Sequence, residues 1–229
     1  MDRGLYIAAS GMLAEQLRQQ QISNDLANTS TPGYKADRTA QRSFGDLVLA
    51  NTRSGAGVGG QSTATVADEV VTDFTPMPSR DTGEPLDFAI TGDGFFAVRS
   101  ASGVRYTRDG QFTVSPQGEL VTAQGDPVLG RGNQTIRVGT DGRVDPRRLE
   151  VVLLTNPRKS GDDLVTGTPG AAGTIGQVRA GALEGSGADP ARSMVDMIAS
   201  LRAFESGQKA IQAIDDALGK ASTQVGALS

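Results

Sequence analysis

Apolar residues recur at steps of three and four through the last part of the chain. Met194, Met197, Leu201, Phe204, Ile211, Ile214, Leu218, Ala221 and Val225 follow one another in this way, with a polar Gln208 in the row and a slip at Ile211–Ile214. A repeat near 3.5 residues keeps one narrow stripe turned toward a partner helix, as in a coiled coil. Asp189-Pro190 supplies an N-cap side chain and a proline suited to the first helical turn. Some 36 residues rising about 1.5 Å each make a helix of about 55 Å, long for a compact domain of this size.

The first 27 residues also predict a helix, with a different pattern. Leu5, Ala8, Met12, Ile22 and Leu26 share one side, whereas Tyr6, Leu13 and Leu17 lie almost opposite. Either this is a poorly amphipathic surface helix, or it is held between two different partners, as a subunit of an assembly would be. Asn28-Thr29-Ser30-Thr31-Pro32-Gly33 ends it.

The middle has another rhythm. Leu86-Asp87-Phe88-Ala89-Ile90 alternates with period two, which predicts a strand with Asp87 facing outward. Asp-Gly pairs at 93–94, 109–110 and 141–142 read as hairpin turns. Tyr106-Thr107, Phe112-Thr113-Val114, Leu120-Val121-Thr122, Ile136-Arg137-Val138 and Val151-Val152-Leu153-Leu154 are the flanking strands. Most of the 30 glycines lie between residues 51 and 187, and no proline precedes Pro32 or follows Pro190. The expected fold class is therefore α+β, with an antiparallel β-rich middle between two long terminal helices. Gly55-Ala56-Gly57-Val58-Gly59-Gly60 reads as a linker or long loop.

Composition narrows the chemistry. The 229 residues contain no Cys, His or Trp. Disulfides, thiolate or imidazole metal sites and histidine acid–base catalysis are thereby excluded. The formal charge of −4 argues against general nucleic-acid binding. The longest apolar run, Leu5 to Ala9, is far short of the roughly 20 residues that span a bilayer, so membrane insertion is not expected. A Sec-type signal is not expected either.

The remaining motifs carry little. Gly55, Gly57 and Gly60 have dinucleotide-fingerprint spacing but lack the strand before and helix after that hold a pyrophosphate. Ser206-Gly207-Gln208-Lys209 matches Ser-x-x-Lys, yet Lys209 lies off the apolar stripe, where water keeps it charged. Glu84, Asp87 and Asp93 could form a carboxylate pair, but acids are common in turns and the chain has few aromatic rings to hold a sugar. No catalytic, cofactor-binding or metal site is expected.

Ser10-Gly11-Met12, then Asn24-Asp25-Leu26-Ala27-Asn28 and Thr31-Pro32-Gly33-Tyr34-Lys35, resemble the N-terminal signature of bacterial flagellar rod, hook and hook-associated proteins. Leu86 to Val98, including Gly92, Asp93, Gly94, Phe95 and Phe96, resembles the family's internal motif. Tyr106-Thr107-Arg108-Asp109-Gly110-Gln111-Phe112, Gly118 to Thr122 and Gly125 to Gly130 continue it, and Leu183-Glu184-Gly185-Ser186 precedes the C-terminal stripe as in the family. The chain departs in reading Ser186-Gly187-Ala188-Asp189 where Ser-Asn-Val-Asp is usual, and it is short for the family, which favours a rod subunit over a hook subunit.

The resemblance implies a structural subunit of the basal-body rod that self-assembles helically and transmits torque from motor to hook. Residues 1–34 and 188–229 would form a discontinuous coiled-coil inner domain, 35–80 a linker or extended segment, and 81–187 a β-rich outer domain. It implies copies of itself and other rod and hook proteins as partners, with the flagellar export apparatus and bushing-ring proteins beside them. Its place would be the basal body, reached by type III export without a cleaved signal, which the absence of cysteine suits. Leu5, Met12, Ile22, Leu26, Met194, Met197, Leu201, Phe204, Ile211 and Leu218 are the expected seam between helices and subunits. The alternatives are a hook-type subunit, a secreted carboxylate-dependent enzyme and a monomeric helix–hairpin binding module.

Overall fold

The computed structural model describes residues 2–50, 57–161, 163–170 and 173–226; for residues 2–3, 39–50, 57–70, 221–222 and 224–226 it describes the backbone alone. The chain begins with α1 (Asp2–Ala27) and ends with α2 (Pro190–Gly226). Between them run β1 (Asp37–Ala50), β2 (Gly57–Thr72), β3 (Ser79–Asp81), β4 (Phe88–Thr91), β5 (Phe95–Ser100), β6 (Gly103–Thr107), β7 (Thr113–Val114) and β8 (Leu120–Val121). There follow β9 (Leu129–Gly130), β10 (Gln134–Thr135), a 3₁₀ turn at Pro146–Arg148, β11 (Val151–Val152), β12 (Leu154–Lys159), β13 (Leu164–Pro169), β14 (Gln177–Ala180) and β15 (Ala182–Glu184). The fold is α+β. No helix among the described residues is long and apolar enough to cross a membrane.

The chain divides into two compact units. One contains residues 1–26, 37–71 and 190–229, and the other residues 27–36 and 72–189. In the first, β1 and β2 pair with each other. They occupy much of the segment expected as linker or extended chain; Gly57, Gly59 and Gly60 lie in β2, and Gly55 and Ala56 lie outside the described residues.

The second unit is built on a sheet of order β11-β5-β6-β13-β12, antiparallel throughout. Its β5 is Phe95-Phe96-Ala97-Val98, an unbroken apolar run, because both its faces are covered. Phe96 and Val98 join Phe88, Ile90, Phe112, Leu120, Val128, Ile136, Val144 and Leu149 on one side, and Phe95 and Ala97 join Tyr106, Leu129 and Val165 on the other. Phe112 stands edge-on to Phe96 with centroids 5.3 Å apart. β4 pairs with β14, and β3 with β15.

Several local expectations are corrected. Asp87 is buried rather than outward, and its Oδ2 accepts from Thr82 Oγ1 at 2.7 Å, so its carboxylate closes the 82–87 turn. Ile136-Arg137-Val138 forms no named strand; Arg137 makes one isolated bridge to Glu119. The tight β5–β6 turn is Ala101-Ser102, between paired Ser100 and Gly103, and carries no Asp-Gly. Asp109-Gly110 serves a different purpose. A Cβ on Gly110 would lie 1.6 Å from the Phe88 carbonyl oxygen, so glycine there permits one backbone to rest on another.

Candidate functional site

Glu184 closes β15 with a fully buried carboxylate, and three distant chain segments meet on it. Oε1 accepts from Lys35 Nζ at 2.7 Å and from the Met77 amide at 2.9 Å. Oε2 accepts from Arg108 Nη1 at 2.8 Å. Lys35 Nζ also donates to the Thr75 carbonyl, and Arg108 Nη2 to the Gly92 carbonyl, at 2.7 and 2.8 Å. The Arg108 guanidinium lies 5.3 Å from the centroid of the Phe95 ring. Burial lowers the pKa of Lys35, and the Glu184 carboxylate opposes that shift. A buried charge cluster of this kind survives only when its charges are paired and bonded, and removing one partner from such a cluster costs about 3–5 kcal/mol.

This cluster anchors the two chain segments that lead to the terminal helices. The segment after α1 and the segment before α2 are bonded to each other. The Gly33 amide donates to the Glu184 carbonyl at 3.1 Å, the Gly187 amide to the Tyr34 carbonyl at 2.8 Å, and Ser186 Oγ to the Asn28 carbonyl at 2.8 Å. Thr31 Oγ1 donates to Asn28 Oδ1. Tyr34 is buried, with the Lys159 ammonium 4.0 Å from its ring centroid, and Lys159 also donates to the Lys35 carbonyl. Gly33 has φ +67°, and a Cβ there would lie 2.3 Å from the Arg108 carbonyl. Only glycine meets both conditions.

Three motifs singled out in the sequence, Thr31 to Lys35, Thr107 to Gly110 and Leu183 to Ser186, thus converge on one junction. Of the motif residues, Asp93 is exposed, whereas Phe95, Phe96 and Leu183 are core. Asn24 and Ala27 lie on α1, Leu26 half-buried beside them. Gly92 contributes its carbonyl to Arg108 and Gly94 lies against Val151. Sequence reasoning quoted Lys35, Arg108 and Glu184 as motif letters but missed their pairing. The available signal was a lone acid directly after the apolar Ala182-Leu183, which once buried must find a cation.

The helices supply a second feature. Within their unit α1 and α2 run antiparallel: Gly4 lies near Ile214, Met12 near Gly207, Glu15 near Ser200 and Arg18 near Asp196. The α2 residues that are not exposed include Ser193, Met197, Ser200, Phe204, Gly207, Ile211, Ile214 and Leu218, an unbroken four–three repeat. The row read from apolar letters therefore shifts by one residue at Met194, Leu201 and Gln208, all exposed, and the apparent slip disappears. Small residues complete the true row because they let two helices approach closely. A Cβ on Gly207 would lie 2.8 Å from Met12 Cγ.

This intrachain seam mixes apolar with polar and small residues. Ser200 Oγ donates to Glu15 Oε2 at 2.6 Å, and Gln19 Nε2 is buried without a hydrogen-bond partner among the described residues. Ile22 is buried, and Met12, Leu26, Met197, Phe204, Ile211 and Leu218 are half-buried. Larger apolar residues face water instead: Tyr6 is 65% exposed, Leu13 62%, Leu17 51%, Met194 55%, Val195 66%, Ile198 53%, Leu201 45% and Leu5 37%.

Three family profiles match in order along the chain. Residues 5–35 match one described as flagella basal body rod protein, residues 89–146 the D1 domain of the flagellar hook protein FlgE/F/G, and residues 179–224 the C-terminal part of the flagellar basal body rod FlgEFG protein. The chain is 35% identical to the flagellar basal-body rod protein FlgF of Caulobacter vibrioides, over 90% of this chain and 91% of that protein. It is 34% identical to FlgF of Escherichia coli over 96% and 97%, respectively. The chain belongs to the flagellar basal-body rod family. It is also 30% identical to the rod protein FlgG of Bacillus subtilis, over 95% of this chain and 97% of that one. The junction on Glu184 draws one residue from each of the three regions that define this rod family, Lys35 from the first, Arg108 from the second and Glu184 from the third.

Proposed function

We propose that this structural subunit of the flagellar basal-body rod polymerises through the outward apolar stripes of α1 and α2. The observation that carries the reading is the set of large apolar side chains that the helix pair leaves uncovered. Its internal seam already holds Met12, Phe204, Gly207 and Ile211, while Tyr6, Leu13, Leu17, Ile198 and Leu201 are left in water. Burying each large apolar side chain is worth about 1.5–3 kcal/mol, so stripes of this size favour further helices packed against them. Supplied by neighbouring copies, those helices would form a coiled-coil inner tube with the β-rich unit outside it. A heterologous contact of this kind repeats without closing and gives a helical filament.

The reading assigns no reaction to the chain. Its function is to hold position in a shaft that passes torque from motor to hook, with other rod and hook proteins above and below it. Passage through the flagellar export apparatus and contact with bushing-ring proteins belong to the same reading.

Glu at Leu13 and Leu17, or at Leu201, tests it. Because these side chains are already exposed, the variants should melt like the parent in dilute solution. They should fail to restore swimming, and no rod should be recovered from cells lacking the native protein. Normal motility in the Leu13→Glu/Leu17→Glu strain would overturn the reading.

A further inference from the structure

The β-rich unit carries a basic face on an acidic chain. Of the 22 basic and 26 acidic residues, five arginines and two aspartates lie between positions 131 and 148. That segment is therefore +3, and the rest of the chain is −7. Arg131, Arg137, Arg143, Arg147 and Arg148 are all exposed. None of the five pairs with a carboxylate among the described residues. The two aspartates are occupied locally: Asp141 Oδ1 accepts from the Arg143 amide and Asp145 Oδ1 from the Arg147 amide.

The fold brings these arginines together rather than scattering them. Gly130 bridges to Leu149, which sets Arg131 beside Arg148, and Arg148 Nη1 donates to the Arg137 carbonyl at 3.3 Å. Arg131 and Arg147, with one carboxylate, Glu150, line an open groove of about 810 Å³ whose apolar floor includes Leu149, Val151, Val178 and Ile175, the last 54% exposed. Guanidinium groups beside an uncovered apolar floor suit a protein surface that offers carboxylates and apolar side chains together.

We infer that this groove and its arginines receive the acidic surface of a second copy of this chain, as a lateral contact additional to the helices. The inference rests on the polymerisation reading above. Its occupant follows from charge: the partner a polymerising subunit meets most often is itself, and outside this face that partner carries a net charge of −7. Such a contact orients the β-rich units as copies approach, because complementary charge acts at longer range than apolar packing.

The test is self-association of the full-length chain, followed by sedimentation velocity at rising NaCl. Association should weaken about tenfold between about 0.05 and 0.5 M salt as the charges are screened. Arg131→Glu/Arg147→Glu should remove that salt dependence and lower association at low salt, with an unchanged melting temperature. Arg131→Lys/Arg147→Lys, which keeps the charge, should retain the salt dependence. If the double-Glu variant associates like the parent, this contact is refuted while polymerisation through the helices stands. If the parent stays monomeric at every salt concentration, the polymerisation reading falls and this inference with it. Binding of polyphosphate or heparin to the face without any salt-sensitive self-association would assign it to a polyanion and overturn the second copy as occupant.

Discussion

Asp109 shows how a residue in the shared motif is fixed by its surroundings. Its Oδ1 accepts from the Gln111 amide at 2.9 Å, and its own amide donates to Thr107 Oγ1. Burial raises its pKa to about 6, the Gln111 bond opposes that shift, and the nearby Asp163 and Asp87 add to it. The folded pKa is thus above the unfolded value near 3.9, so the folded chain binds the proton more tightly. Stability should rise as pH falls from about 7 through 6 toward 4, and decline in the opposite direction. Asp109→Asn keeps the acceptor for Gln111 and removes the charge. It should stabilise the β-rich unit by about 1–3 kcal/mol at pH 7 and flatten the pH dependence between 4 and 7. Urea titrations across that range measure both effects, and equal midpoints for parent and variant at pH 7 would contradict the argument. Nothing in the letters Asp109-Gly110 announces this, since they read equally well as a surface turn.

At the scale of elements, the terminal helices and the presence of β4, β6, β7 and β8 were legible because hydrophobic period is local, but not which faces those strands bury, as Asp87 shows. The phase of α2 was not. Ser193, Ser200 and Gly207 carry no apolar signal, yet they occupy the row that meets α1, while Met194 and Leu201 stand one residue away in water. Hydropathy cannot tell a seam toward one's own helix from a stripe awaiting another. Two glycines of α2 separate these cases. At Gly219 a Cβ meets nothing within 4 Å, so Gly219→Ala should raise stability by up to about 1 kcal/mol through helix propensity alone. At Gly207 an added side chain runs into Met12, and Gly207→Leu should lower it by about 1–3 kcal/mol. Thermal melts followed by helical circular dichroism check the opposite signs; a stabilising Gly207→Leu would mean that the helices do not pack at this point. The junction on Glu184 was hidden for a different reason, as its partners lie 76 and 149 residues away.

For the whole molecule, the two units differ in what holds them. The β-rich unit has two apolar clusters on a central sheet and a junction in which Lys35, Arg108 and Glu184 are all buried. The helical unit has a seam that is partly polar, a buried donor on Gln19 without a partner among the described residues, and apolar stripes in water. Local opening free energies should follow that contrast, because they depend on buried apolar contact and satisfied hydrogen bonds. Hydrogen exchange on the free chain should show α1 and α2 exchanging orders of magnitude faster than β5 and β6. In assembled rods the same helical amides should become as slow as the sheet, since neighbours would cover Leu13, Leu17 and Leu201. The bonded pair of connecting segments, 28–34 and 184–187, belongs to the slow group in both states. It is the fixed point from which both helices are paid out, whatever their state. A free copy whose helices were protected as strongly as its sheet would show that the pair is complete by itself, and would remove the physical reason for polymerisation through it.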